Sequence, residues 1–201
     1  MTKIKMCGLR RKCDIEWAGE LSADYIGFVF AKKSKRYVSP EKAAELKKSL
    51  KEGIKAVGVF VDEDPAEVAR LGKEGIIDVA QLHGSEDEDY IKNLRELSDM
   101  PIIKAIKVGS REDIEKAEKS SADMILLDSG AGSGKTFDWE LLKGIKRPYF
   151  LAGGLDPENL PEVIENIKPY GVDASSALET DGFKDRDKMA AFANAARGKE
   201  Y

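Results

Sequence analysis

Two side chains have the chemistry of a base and an acid. Cys7 ends the apolar run Lys3-Ile4-Lys5-Met6-Cys7, and Gly8 behind it lets the backbone turn. A thiolate is a good base, whereas most free cysteines are small buried hydrophobes. Asp128 ends the strongly apolar run Met124-Ile125-Leu126-Leu127. A carboxyl partly desolvated there has a raised pKa and can donate a proton near neutral pH. The everyday role of such an aspartate is a helix cap or a salt bridge. Together, a Cys7 thiolate and a protonated Asp128 make a general base and a general acid on opposite sides of one substrate. Burial alone raises a thiol's pKa, so a positive charge or an oriented N–H must sit near Cys7. Lys5 is two residues away and lies either beside the thiol inside the fold or elsewhere on the strand.

Other residues read as anion and substrate holders. Arg36 stands in the cationic loop Lys32-Lys33-Ser34-Lys35-Arg36, where it is either a solvated charge or a bidentate partner for a substrate carboxylate. His83 either lines the site or packs under it. Gly153-Gly154 and Ser175-Ser176 each follow an apolar run. Glycines let the backbone N–H groups approach a phosphate, and serine hydroxyls add donors. Either pair alone is a tight turn with a helix cap; two pairs at adjacent strand ends favour phosphate binding. Residues 129–136 resemble a phosphate-binding P-loop, but Ser129 stands where that motif needs glycine, so they read as a loop beside Asp128.

Composition narrows the class. The chain has 201 residues, 42% hydrophobic and 35% charged, which fits a globular fold and excludes a disordered one. The net charge of −4 comes with no basic block, so no nucleic-acid partner is expected. No apolar run reaches the ~18 residues that span a membrane, and Lys3 and Lys5 precede no signal-peptide core, so a cytoplasmic protein is expected. One histidine and two cysteines without paired spacing argue against a structural zinc site. Cys13 sits at helical spacing from Trp17 and reads as packing.

Short apolar runs alternate with amphipathic patterns. Strands are expected from residue 3 to the thiol of Cys7, at residues 24–30, 55–62, 79–84, 101–108, 123–129 and 149–154, and, with its loop, at 171–176. Helices are expected after the first strand through about residue 21, from Ser39-Pro40 to about 51, from Asp64-Pro65, over 86–97, over 111–119, over 138–143, from Asp156-Pro157 and over 185–197. The strands are apolar throughout, as strands buried on both faces are. Eight strand–helix units without a second domain favour closure into one single-domain (β/α)8 TIM barrel, α/β in class, over residues 1–201. Such barrels keep their chemistry at the C-terminal strand ends, where all the residues above fall, and bind phosphate at the loops after strands seven and eight.

These segments resemble the phosphoribosylanthranilate isomerase family of tryptophan biosynthesis. The resemblance rests on Lys5-Met6-Cys7-Gly8-Leu9, on Phe30-Ala31 with Ser34 and Arg36, and on Gln81-Leu82-His83-Gly84. It continues through Leu127-Asp128-Ser129, Gly134-Lys135-Thr136-Phe137-Asp138-Trp139, and Leu151-Ala152-Gly153-Gly154-Leu155 with Pro157-Glu158-Asn159. It ends on Gly171-Val172-Asp173 with Ser175-Ser176 and Glu179. It implies an isomerase performing the Amadori rearrangement of N-(5-phosphoribosyl)anthranilate to 1-(2-carboxyphenylamino)-1-deoxyribulose 5-phosphate. It further implies Asp128 protonating the ribose ring oxygen, Cys7 removing the proton from the adjacent carbon, and Arg36 holding the anthranilate carboxylate. The phosphate would sit on Gly153, Gly154, Ser175 and Ser176, with no metal and no organic cofactor. The expected partner is a small phosphorylated molecule, taken by a monomer or homodimer. Two positions depart from the family pattern: Arg10 replaces a threonine or similar small residue, and Ala177 replaces a glycine. A related barrel isomerase of histidine biosynthesis resembles a carboxylate pair at the two chemical positions, and Cys7 argues against it. A non-catalytic phosphate-binding barrel would have no need of the Cys7 and Asp128 pair.

Overall fold

The structure is a computed structural model that describes residues 1–129, 139–142 and 144–198. Eight parallel strands close into a barrel in chain order. They are β1 (Lys3–Cys7), β2 (Tyr25–Val29), β3 (Lys55–Phe60), β4 (Val79–Leu82), β5 (Ile102–Lys107), β6 (Met124–Asp128), β7 (Tyr149–Ala152) and β8 (Gly171–Ala174). Closure is made where β1 meets β8, with Lys5 opposite Asp173 and Met6 opposite Ala174. The helices are α1 (Lys12–Glu20), α2 (Pro40–Lys47), α3 (Pro65–Lys73), α4 (Glu88–Leu97), α5 (Arg111–Lys119), α6 (Leu160–Ile167) and α7 (Arg186–Ala196).

Alternation along each strand divides the core in two. Outward residues such as Ile4, Met6, Ile26, Phe28 and Leu127 pack under the helices, with Ile15, Leu46, Leu71 and Phe192 facing them. Inward residues such as Val57, Val79, Ile103, Leu126 and Phe150 fill the barrel. Caps fix where several helices begin. Ser39 Oγ accepts from Lys42 N with Pro40 at the first helical position, and Asp64 and Asp87 cap α3 and α4 in the same manner.

The helices differ most from expectation at three places. Helix α2 ends at Lys47, not near 51, because Ser49 N and Leu50 N bond the carbonyls three residues back and tighten the end into turns. Of the expected sixth helix, the described residues Trp139–Leu142 form a 3₁₀ turn. Helix α6 begins at Leu160, since Asp156 and Asn159 first bond each other's backbone N–H in a reciprocal turn. The residues of the P-loop-like stretch after Ser129 lie outside the described residues. One element went unanticipated, a two-stranded antiparallel ribbon of β9 (Glu179–Thr180) and β10 (Phe183–Lys184). It turns through Asp181 and Gly182, both at positive φ, and Asp-Gly is a strong short-range hairpin signal. Arg10 and Arg11 clamp this ribbon. Both guanidinium groups lie 5.2 Å from the Phe183 ring centre, and they donate to the carbonyls of Gly182 and Lys184. Arg10, out of pattern in sequence, thus has a packing role.

Candidate active site

The C-terminal strand ends open onto one cavity of about 350 Å³. All eight residues singled out from sequence line it: Cys7, Arg36, His83, Asp128, Gly153, Gly154, Ser175 and Ser176. Each owes its place to the chain around it. Cys7 closes β1 and its thiol points inward against Gly27 of β2. A Cβ added at Gly27 would stand 2.6 Å from Cys7 Sγ, so that glycine makes room for the thiol. Asp128 closes β6, and Gly153 beside it is held at φ +84 with no room for a Cβ, which would lie 2.5 Å from Asp128 Oδ1.

Burial pushes the Cys7 thiol above its ordinary pKa, while the charges of Lys5 and Lys184 pull it down. Burial, the larger influence, works against the thiolate expected from sequence, and the two lysines work for it. The positive charge that sequence reasoning required but could not name is this pair. Lys5 lies inside the barrel, fully buried, with Nζ 2.9 Å from Asp173 Oδ1. Burial works against its ammonium, and the charges and hydrogen bonds of Asp173 and of an ionised Cys7 more than offset it. The Asp173 carboxyl is pushed up by burial against the pull of Lys5. Lys184, on β10, donates to Ser175 O at 2.9 Å and to Glu179 Oε1 at 2.7 Å.

Glu179 joins this lysine to Arg36. The Arg36 guanidinium donates twice to the Glu179 carboxylate, each at 2.7 Å, in the bidentate geometry that suits a carboxylate. Burial pushes Glu179 up, but the hydrogen bonds and charges of Arg36 and Lys184 overcome it and hold its pKa at about 2. On the opposite wall His83 Nε2 stands 3.7 Å from Asp128 Oδ2, and His83 Nδ1 lies 2.9 Å from Gln81 Nε2. His83 thus lines the mouth rather than packing beneath it.

The turns after β7 and β8 are pinned from behind. Ser129 Oγ donates to Gly153 O at 2.8 Å, and Asn159 Nδ2 donates to Gly154 O at 2.7 Å. The Ser175 hydroxyl donates to Cys7 O at 3.0 Å, which ties β8 to the end of β1 and leaves the backbone as the loop's main donor set. Ser176 is exposed at the start of a short 3₁₀ turn, Ser176–Leu178, and Ala177 also lines the cavity.

Lys184 went unnoticed in sequence, Lys5 was left open as a neighbour of the thiol, and Gln81, Asp173 and Glu179 entered only as parts of a resemblance. Lys5, Gln81 and Asp173 carry a common signal: each is a polar residue at an inward position of an otherwise apolar strand, where it needs a partner. Among the described residues no group of three or more His, Cys, Asp or Glu is placed to hold a metal ion. No helix among them is long and apolar enough to cross a membrane.

A thiol and a carboxyl line the mouth of a closed eight-stranded barrel, beside an arginine and the glycine and serine turns after β7 and β8, the arrangement of a barrel enzyme. Residues 4–195 match the family model of N-(5'-phosphoribosyl)anthranilate (PRA) isomerase, and the chain belongs to that family. An N-(5'-phosphoribosyl)anthranilate isomerase from Thermoanaerobacter sp. (strain X514) is 44% identical over 205 residues, covering 98% of this chain and 99% of the relative. The crystal structure of phosphoribosyl anthranilate isomerase from Thermotoga maritima superposes with a TM-score of 0.91 at 37% identity, covering 98% of this chain and all of that one. A phosphoribosyl anthranilate isomerase in complex with reduced 1-(o-carboxyphenylamino)-1-deoxyribulose 5-phosphate matches with a TM-score of 0.88 at 36% identity, over 98% of this chain and all of that one.

Proposed function

We propose that this isomerase of tryptophan biosynthesis works by general acid–base catalysis, with Asp128 as the acid and Cys7 as the base. The supporting observation is that both groups line one cavity, with Arg36 and the two anion loops around it. N-(5'-phosphoribosyl)anthranilate enters with its phosphate on the backbone of Gly153, Gly154, Ser175 and Ser176. Its carboxylate meets Arg36, which Glu179 already holds in place, and His83 lines the wall between. Asp128 gives its proton to the ribose ring oxygen as the C–O bond breaks, and the ring opens to a Schiff base. Cys7 then removes the proton from the neighbouring carbon. The resulting enolamine tautomerises to the amino ketose, 1-(2-carboxyphenylamino)-1-deoxyribulose 5-phosphate. The substrate's own nitrogen delocalises the charge, so the chemistry asks for no metal and no organic cofactor. Cys7 must ionise for its step. The iminium charge of the opened substrate adds to that of Lys5 and Lys184 and draws the thiol proton off.

Cys7→Ser and Asp128→Asn test this directly. Each should lower kcat by a factor of about 10² to 10⁴, the usual worth of a positioned acid or base, while circular dichroism and product binding stay as in the parent. Wild-type kcat in Cys7→Ser removes Cys7 as the base; wild-type kcat in Asp128→Asn removes Asp128 as the acid.

A further inference from the structure

Gln81 is 1% exposed, inside the barrel on β4, and lines the same cavity as the acid and base. Its neighbours along the sheet register are Val59 and Ile103, which offer its side chain only apolar surface. A glutamine there carries two buried polar ends. One is used: Nε2 lies 2.9 Å from His83 Nδ1. The other is not: Oε1 is buried without a hydrogen-bond partner. An unpaired buried carbonyl costs about 1–3 kcal/mol, so packing alone does not explain this residue.

The geometry of the used end has a chemical consequence. An amide NH₂ only donates, so the ring nitrogen that faces it must be an acceptor. The ring proton of His83 is then on Nε2, and Nε2 is the atom 3.7 Å from Asp128 Oδ2. We propose that Gln81 is a positioning residue for the isomerisation: it holds His83 as the Nε2–H tautomer facing Asp128, and its unpaired oxygen accepts from a donor on the bound substrate. This rests on Asp128 being the acid. When Asp128 gives up its proton, the carboxylate left behind meets an N–H already turned toward it, and a small closure of the 3.7 Å gap makes the hydrogen bond. With the other tautomer a lone pair would face that carboxylate and oppose its formation. The substrate donor, a sugar hydroxyl or the anilino N–H, satisfies Oε1 and keeps the amide from turning over.

The chain has a single histidine, so ¹⁵N-histidine labelling reports His83 without assignment. In the parent protein the Nδ1 signal should be that of a bare ring nitrogen and the Nε2 signal that of a protonated one. In Gln81→Glu the proton should move to Nδ1, because a carboxylate only accepts. Both Gln81→Glu and Gln81→Met should lower kcat by about 10- to 100-fold, the usual cost of losing a partner that orients a functional ring, and change KM by less. A proton on Nδ1 in the parent, or a kcat in Gln81→Met equal to the parent's, overturns the proposal. Failure of the acid assignment shows separately, as an active Asp128→Asn, and leaves the tautomer signal unchanged in meaning.

Discussion

At the stem of the barrel the interior is filled with hydrocarbon, whereas at the mouth it is filled with charge. Phe150 sits near the stem with Val57, Val79, Ile103 and Leu126 around it. Tyr25 and Tyr170 press edge-on against its ring at 5.2 and 5.4 Å. Their hydroxyls meet at 3.2 Å at the exposed rim. Toward the mouth the same space holds Lys5 against Asp173, then Gln81 and Cys7, all buried. The stem gains stability from each apolar group it removes from water. The mouth works against itself, since a buried ion pair pays desolvation that its Coulomb attraction often fails to recover. Two ends of one barrel interior therefore answer to different demands: the stem closes the barrel, and the mouth holds the charges that the proposed chemistry would use.

The comparison breaks most sharply with one substitution at each end. Phe150→Ala should cost about 3–5 kcal/mol of stability in urea unfolding, through lost burial and a residual cavity. The kcat per folded molecule should stay near the parent's, because Phe150 is not among the described residues that line the cavity of Cys7 and Asp128. Lys5→Met should cost a similar ~3–5 kcal/mol by stranding the Asp173 charge. It should also lower kcat, since the thiol loses the larger of the two charges that favour its ionisation. Lys5→Met with Asp173→Leu separates the two effects: replacing both members of a buried pair by apolar groups is often neutral for stability. The double variant should unfold near the parent's midpoint and remain catalytically impaired. Full activity in a stable double variant would show the Lys5 pair to be scaffold, and the distinction between the ends would fall.

A smaller effect sharpens the picture within the mouth. Arg36→Met should weaken substrate binding by about 1.5–3 kcal/mol, the range for hydrogen bonds to charged groups, with most of the change in KM. Unchanged KM and kcat would reduce Arg36 to a structural partner of Glu179.

What could be read from sequence follows the same division. The strands are legible because burial on both faces makes them apolar without interruption. Their C-terminal ends alone bring Cys7, Asp128, Gly153 and Ser175 to one mouth. Helix lengths are less legible, since the end of α2 depends on turn-type bonding at Ser49 and Leu50 rather than on residue periodicity. The polar interior is hardest to read. Lys5 and Asp173 lie 168 residues apart, and only barrel closure sets them side by side. Lys184 reaches Cys7 through a ribbon whose Asp181-Gly182 turn is visible in sequence but has no strand strong enough around it to be recognised.

The last test concerns acid, and the expected effect is the smallest. Glu179 has a side chain only 7% exposed, between Arg36 and Lys184. Its pKa of about 2 in the folded protein lies below the about 4.3 of an unfolded glutamate. A lowered folded pKa means that the ionised form stabilises the fold, fully above the unfolded value and less as pH falls through the folded one. The contribution of Glu179 should therefore be complete above about pH 4.3 and fade on approach to about pH 2. Glu179→Gln keeps the shape and removes the charge. The difference in urea midpoint between parent and variant should be largest near neutral pH and shrink across that acid window. Lys184 carries the matching signature: burial lowers its pKa further than Glu179 can restore, so losing Glu179 should lower it again and reduce the positive charge near Cys7 at alkaline pH. A midpoint difference that stays flat from neutral to acid pH would mean that Glu179 does not hold Arg36 and Lys184 together in solution, and the preformed carboxylate clamp at the mouth would go with it.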